Sequence, residues 1–420
     1  MTPKVARSVS SNWCKNLTIL TLAMIFALTG SVWATTETVL HDFTGNPEGS
    51  PQFALVFDKS GNLYGTTENF GGEVFKLSPN GTGGWNYSVI QDFTASGRCN
   101  QVGCYPNGQL TVDGSGNLYG TMGAGGPNGS GTVFELSPNA DGSWSFKLLH
   151  IFGPEFSGDG YSPNGVVYFN GALFGTTSFG GANNYGSVFS LTANADGSWS
   201  EKIIHSFAAS DGWCYSSVAL DPAGNIYGTT AGTTFELTPN GDSTWTNHTL
   251  YTFPSGTGPG VYRLSIIFAN GKIYGAGMSG SNGEIYELSP SGSSWIETTL
   301  YAFAGGTDGS NPTGVTIDSQ GRLFGTTTNG GGVGSCKNYP NPQNLYCGTA
   351  FLLTPSSSGP WIETILHRFG GRAGSAPNPV ILDKNDNVYG VTSSGGTSGS
   401  GVVYKLNHPT KWTNTAQVGP

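Results

Sequence analysis

One short phrase returns seven times along the chain and limits what the chain can fold into. It first reads Gly61-Asn62-Leu63-Tyr64-Gly65-Thr66-Thr67, then restarts at Gly116, Gly171, Gly224, Gly271 and Gly321. The seventh copy begins Asp386-Asn387-Val388-Tyr389-Gly390, with Asp where the others have Gly. Successive starts lie 55, 55, 53, 47, 50 and 65 residues apart. A period near fifty that holds several strand-like runs marks a propeller-type array, whose units bury their apolar faces by stacking on one another.

Each period offers four strands in a fixed order. Strand a is a short apolar run ending in Asp, as in Ala54-Leu55-Val56-Phe57-Asp58, and strand b is the recurring phrase. Strand c reads Gly-Thr-Val-Phe-Glu-Leu-Ser-Pro at Gly131–Pro138, with echoes at Gly72–Pro79, Gly186–Ala193 and Gly283–Pro290. Strand d runs from a Trp to a Phe eight residues later, at Trp85–Phe93, Trp144–Phe152, Trp199–Phe207, Trp245–Phe253, Trp295–Phe303 and Trp361–Phe369. Aromatic and β-branched enrichment at constant length indicates strands rather than helices. The a–b connection, Asp-x-x-Gly-Asn, is turn chemistry: Asp starts the turn and Gly supplies positive φ. Four antiparallel strands make one blade, so the expected fold is an all-β, seven-bladed propeller.

The chain ends supply a closure. Glu37-Thr38-Val39-Leu40-His41-Asp42-Phe43 matches Glu363–Phe369, a d strand with no a, b or c before it, whereas the last period has a, b and c. Pairing the N-terminal strand with the C-terminal blade removes the exposed sheet edges. The tail from Trp412 is the alternative partner for that blade, and both routes give seven blades.

Residues 1–34 read as a signal peptide, with basic Lys4, Arg7 and Lys15, an apolar run from Leu17 to Leu28, and Val32-Trp33-Ala34 before the expected cleavage. An uncleaved N-terminal anchor is the alternative. Residues 35–420 then form one domain. The leader carries three of the 17 Lys+Arg and none of the 26 Asp+Glu, so the mature chain has net charge −12. That balance argues against nucleic acid or an anionic membrane as partner. No second apolar run follows, so the mature chain is expected to have no membrane span and to be a secreted monomer.

Five cysteines remain. Cys99 with Cys104, and Cys336 with Cys347, are expected to form local disulfides in an exported protein, leaving Cys214 as a partly buried thiol, with intermolecular pairing the alternative. Both pairs fall in d–a or b–c loops, which share one face of a propeller and carry most of the length variation. Binding is expected on that face, because variable loops on a rigid scaffold usually carry it; the alternative is that the repeats drifted in length and the disulfides only steady long loops. Glu48, Asp159, Asp211 and Asp308 recur there, each before a Gly. They are candidate ligands for sugar hydroxyls or a cation, against the plainer reading that Asp-Gly is a repeated turn signal. Asn139-Ala140-Asp141-Gly142 and Asn194-Ala195-Asp196-Gly197 hint at calcium loops but lack the remaining ligands. His41, His150, His205 and His367 stand two residues before the d-strand Phe, where other copies have Tyr or Gln, which points to packing. No nucleophile elbow, zinc-protease motif or phosphate loop is present, so no catalytic residue, metal or cofactor is expected.

These linked phrases resemble the GloVer-type (choice-of-anchor) tandem repeat of exported bacterial proteins over nearly the whole mature chain. The fifth copy departs at Ala276-Gly277 and the seventh at Val391-Thr392. The resemblance implies export and a surface or extracellular location, with no established activity and no catalytic residues to carry over. Many members have a C-terminal anchoring signal; this chain ends at Pro420 without one, so release is expected. The turn also resembles NHL- and gluconolactonase-type propellers at the level of fold.

Three functions fit. The first is a secreted binding module taking a glycan or protein on the long-loop face. The second is a polysaccharide hydrolase or lyase working through carboxylates at the channel mouth, and the third is a structural envelope protein.

Overall fold

Strands form where the phrases place them. In a computed structural model of the protein, the described residues are 35–45, 48–94, 98–155, 157–254, 266–277, 282–332, 347–356 and 360–407. The expected leader, Cys336 and Trp412 lie outside them.

Blade 1 comprises Val56–Phe57, Leu63–Thr67, Glu73–Pro79 and Trp85–Asp92 as strands a to d. Blade 2 has a split strand a, Cys104–Pro106 and Thr111–Val112, then Leu118–Ala124, Thr132–Pro138 and Trp144–Ile151. Blade 3 is Gly160–Phe169, Ala172–Gly180, Ser187–Ala193 and Trp199–Ser206. Blade 4 is Ala219–Leu220, Ile226–Thr229, Thr233–Pro239 and Trp245–Thr252. Blade 5 is Ile267–Ala269, Lys272–Gly277, Glu284–Ser291 and Ser294–Ala302. Blade 6 is Ser310–Ile317, Leu323–Asn329, Thr349–Thr354 and Ile362–Arg368. Blade 7 opens with Ser375–Pro377 and Ile381–Leu382, continues through Val388–Ser394 and Val402–Asn407, and takes its fourth strand, Thr36–Asp42, from the N-terminus. Thr36 lies opposite Asn407 and Asp42 opposite Val402, all antiparallel. The N-terminal strand therefore closes the ring, as its sequence predicts.

Each letter of the recurring phrase has a physical cause. Asp58 Oδ1 accepts the backbone N–H of Ser60 and Asn62, while Oδ2 accepts the Asn62 amide at 2.7 Å and the Tyr64 hydroxyl at 3.0 Å. The same network recurs at Asp113, Asp221 and Asp383. In blade 6 Arg322 replaces the Asn, bonds Asp318 through Nε at 2.5 Å, and reaches Asp386 of blade 7 at 3.2 Å. That contact holds the seventh copy's odd Asp386, whose φ is +59°. Blades 3 and 5 use a shorter a–b connection instead. Asn170-Gly171 and Asn270-Gly271, all with positive φ, make two-residue hairpins of the primed type.

The second Gly of the phrase serves packing. A Cβ on Gly65 would lie 2.4 Å from the Phe75 ring, and the strand-c ring crowds the equivalent Gly120, Gly175, Gly228, Gly275, Gly325 and Gly390 in the same way. The strand-c aromatic fills the space that this Gly leaves empty. The threonines after it are buried; Thr327, for example, accepts the backbone N–H of Thr349 at 3.1 Å.

The apolar core is divided among the seven junctions between blades. Phe43, Leu55, Leu63, Phe75, Tyr389 and Val403 join blades 7 and 1, and a similar cluster fills each of the other six junctions. Backbone stitches reinforce them. Ser50, Tyr105, Ser162, Asn311 and Ala376 each precede a proline at the start of strand a and have φ between +53° and +59°. Four of these N–H groups, all but that of Tyr105, donate to the b–c loop of the preceding blade. A left-handed non-glycine residue costs roughly 1–2 kcal/mol, so its recurrence in five blades shows that the junction dictates the conformation.

Candidate functional site

The d–a and b–c loops form one face of the ring, and the structure places the four acidic candidates on its outer side. Each closes its own loop by accepting a backbone N–H from the residue after the d-strand Phe. Glu48 takes Thr44 at 3.3 Å, Asp159 takes Gly153 at 2.7 Å, Asp211 takes Ala208 at 2.8 Å and Asp308 takes Ala304 at 2.6 Å. Each belongs to a different junction, so the structure does not bring them together. The d-strand position singled out for its histidines supplies their neighbours: His41 lies 3.6 Å from Glu48, His150 lies 3.4 Å from Asp159, and the Tyr301 hydroxyl bonds Asp308 at 2.8 Å. His205 is held below its ordinary value by burial, with Asp211 opposing.

A third partner comes from the d strand of the following blade. His150 and Asp159 meet Glu201, His205 contacts Asn247 at 3.5 Å, Tyr301 contacts Glu363 at 3.1 Å, His367 lies 3.7 Å from Glu37, and His41 stacks on Tyr87. These half-buried polar groups join neighbouring outer strands. Burial pushes Glu37 up to about 7 and His367 down to about 4; burial and Asp159 push Glu201 up to about 7.

The junction of blades 5 and 6 gives a pH prediction. One Tyr301 hydroxyl faces two carboxylates, so protonating Glu363 supplies the missing donor. Burial first, then Asp308, push Glu363 up to about 8, with the Tyr301 hydroxyl and then Arg368 opposing. A folded value above the ordinary 4.5 makes its stabilisation complete below pH 4.5 and lost as pH rises through about 8. Glu363→Gln is expected to flatten that part of the stability profile, gaining about 1 kcal/mol on wild type above pH 8.5 after allowance for solvent screening. Thermal unfolding across pH 5–9 checks this; parallel profiles for the two proteins would contradict it.

The centre of the ring is different in character. A cavity of about 380 Å³ is lined by the inner strands of all seven blades, with Val56, Leu110, Val166, Val218, Ile267 and Val380 prominent. Its amides are engaged in bonds between blades: Asn107 donates to the Pro163 carbonyl at 2.5 Å, and Asn164 to the Cys214 carbonyl at 3.1 Å. No Asp, Glu, His, Lys or Arg lines it among the described residues.

Where the repeat is interrupted, aromatic rings gather on the long-loop face. Tyr161 stacks on Phe179 with centroids 5.2 Å apart, and Tyr215 meets Phe179 edge-on at 6.2 Å. Tyr185 stacks on Trp213 at 5.6 Å, and Trp213 is 44% exposed. Tyr215 also lines the central cavity, so this shelf over blades 3 and 4 reaches the channel mouth. Its base is fixed. Ala231 N–H donates to the Trp213 carbonyl at 2.8 Å, and the next residue, Cys214, is wholly buried between Val188, Phe207 and Val218. Burial pushes the Cys214 thiol up to about 11, which makes it an inert anchor. Phe70 and Tyr105 add two exposed rings on the same face at blades 1 and 2.

The repeat phrases account for the core aromatics and give no sign of this shelf. A signal existed: Trp213 stands outside the eight-residue Trp-to-Phe register that places six other tryptophans.

Cys99 and Cys104 form the expected disulfide in the d–a loop entering blade 2. Cys347 is also disulfide-bonded, and its expected partner Cys336 lies outside the described residues. Asp141 and Asp196, in the turns that hinted at calcium, instead accept the N–H and hydroxyl of Ser143 and Ser198.

The profile of the Gloeobacter/Verrucomicrobia repeat matches residues 21–232 and 230–417. In structure the chain is similar to virginiamycin B lyase from Staphylococcus aureus, with a TM-score of 0.55 at 12% identity over 89% of this chain and 100% of that one. It is similar also to the extracellular domain of a candidate hybrid two component system from B. thetaiotaomicron, at 0.54 and 10% over 89% and 42%. A candidate 6-phosphogluconolactonase from Bacteroides uniformis follows at 0.52 and 15% over 83% and 92%. Such identities show the fold and leave the chemistry open. No curated protein matches the chain in sequence. The repeat family and the disulfide are consistent with an exported protein, and no described helix is long and apolar enough to cross a membrane.

Proposed function

The chain belongs to the Gloeobacter/Verrucomicrobia repeat family, and from that premise we propose that it is a secreted binding module for neutral glycans. The observation that carries this reading is the shelf of Tyr161, Phe179, Tyr185, Trp213 and Tyr215 at the channel mouth. Flat, rigid rings with polar edges stack on the apolar faces of pyranose rings, at little entropic cost to the protein. The net charge of −9 on the whole chain disfavours polyanionic ligands. A hydrolase or lyase worked by mouth carboxylates is less well supported, because the four candidate acids hold separate loops and no carboxylate lines the cavity among the described residues.

Probing a panel of neutral glycans with the mature protein, alongside product analysis on the same glycans, tests the reading. Retention without turnover is expected. Turnover would replace the module with an enzyme, and silence across the panel would remove the glycan.

A further inference from the structure

Among the described residues, the outer rim at blades 2 and 3 alone brings a histidine and two carboxylates together. We infer that His150, Asp159 and Glu201 form a binding site for a zinc-class divalent cation, unrelated to the aromatic shelf's ligand. Their donor atoms lie within 4.8 Å of one another. Nε2 of His150, 3.4 Å from Asp159 Oδ2, and Oε1 of Glu201 are buried atoms that make no well-formed hydrogen bond. Two carboxylates and an imidazole offer more acceptors than donors, so something positive must sit among them, either a proton or a metal ion.

Asp159 is held in place before any ion arrives. Its Oδ2 accepts the Gly153 N–H at 2.7 Å and its Oδ1 accepts the Gly160 N–H at 2.8 Å. Such backbone bonds orient a ligating carboxylate and are part of a metal site's design. One imidazole nitrogen with two carboxylate oxygens suits zinc, whose bonds to these atoms are about 2.0–2.2 Å and whose fourth position a water fills. Donors 4.8 Å apart at most need to close by about an ångström, within the reach of the Glu201 side chain.

The repeat supplies internal controls, because four other junctions each lack a ligand. Asn247 replaces the glutamate beside His205, Tyr87 replaces it beside His41, and Tyr301 replaces the histidine beside Asp308 and Glu363. Beside His367 and Glu37 the entering loop carries Arg372 and no acid. These folded junctions show that the architecture does not require the full set. They also name substitutions that the blade tolerates: His150→Tyr and Glu201→Asn.

Zinc titration of the mature protein, by calorimetry and by the visible spectrum of substituted cobalt, tests the assignment. One ion per chain is expected, with affinity lowered at least about tenfold in His150→Tyr and in Glu201→Asn, and unchanged in Glu363→Gln. Zinc should also raise the wild-type unfolding temperature through mass action, and not that of either site variant. No uptake, uptake equal in the site variants, or calcium binding with zinc silent would each overturn it. The first of these outcomes would assign a shared proton to the cluster.

Discussion

Replacing Phe43 with alanine is expected to lower the unfolding free energy by about 3–5 kcal/mol, the usual cost of emptying a large buried aromatic site. Phe43 is fully buried, meets the Phe75 ring at 5.5 Å and lies in the cluster that joins blades 7 and 1. Its N–H also donates to the Gly401 carbonyl at 3.1 Å, beside the strand that closes the ring. A cavity there loosens the contact that turns an open array into a closed one, and an open array exposes two sheet edges. Phe70→Ala is the control, since Phe70 is 65% exposed and its loss should fall within about 0.5 kcal/mol. Urea unfolding of both variants measures the difference. Equal losses would contradict the role given to the N-terminal strand.

Gly120→Ala is the second large effect, at about 1–3 kcal/mol for overpacking a filled core. The added methyl would lie 2.6 Å from Phe134 Cζ and 2.7 Å from Leu110 Cδ2, both in buried side chains. Shortening the ring should relieve it. In a Phe134→Leu background the cost of Gly120→Ala is expected to shrink, a coupling that a double-mutant cycle detects. Gly116 offers the contrast. Its φ is +89° and the nearest atom to an added Cβ is 3.8 Å away, so Gly116→Ala should cost only the left-handed strain, with no dependence on Phe134. If both glycines responded alike to Phe134→Leu, the packing account of the repeated Gly would fail.

The fold was legible because its causes are local and repeated. An Asp that caps its own turn, a Gly that admits a ring, and a Trp-to-Phe strand of constant length all act within one period. Even closure could be read, since Glu37–Phe43 duplicates a d strand lacking its blade. The site was less legible because it depends on neighbours from different periods. Tyr185 and Trp213 stand 28 positions apart and meet only because the b–c loop of blade 3 abuts the d–a loop of blade 4. His150 and Glu201, on successive d strands, meet for the same kind of reason. The four acids illustrate the converse. Asp159 and Asp308 look alike in sequence because each closes the same loop, yet one faces a histidine and the other a tyrosine.

The central claim is that the repeated residues hold the ring while those that break the repeat carry binding. Two tryptophans separate these roles. Trp245 sits in the repeat register and packs against the cluster between blades 3 and 4, whereas Trp213 lies outside that register, exposed on the shelf. The decisive measurement is calorimetric titration of the best-retained neutral oligosaccharide into wild type, Trp213→Ala and Trp245→Ala. Trp213→Ala should weaken binding about 10–100-fold with an unchanged unfolding temperature. Trp245→Ala should unfold at lower temperature yet bind normally while folded. Undiminished binding by folded Trp213→Ala would contradict the account.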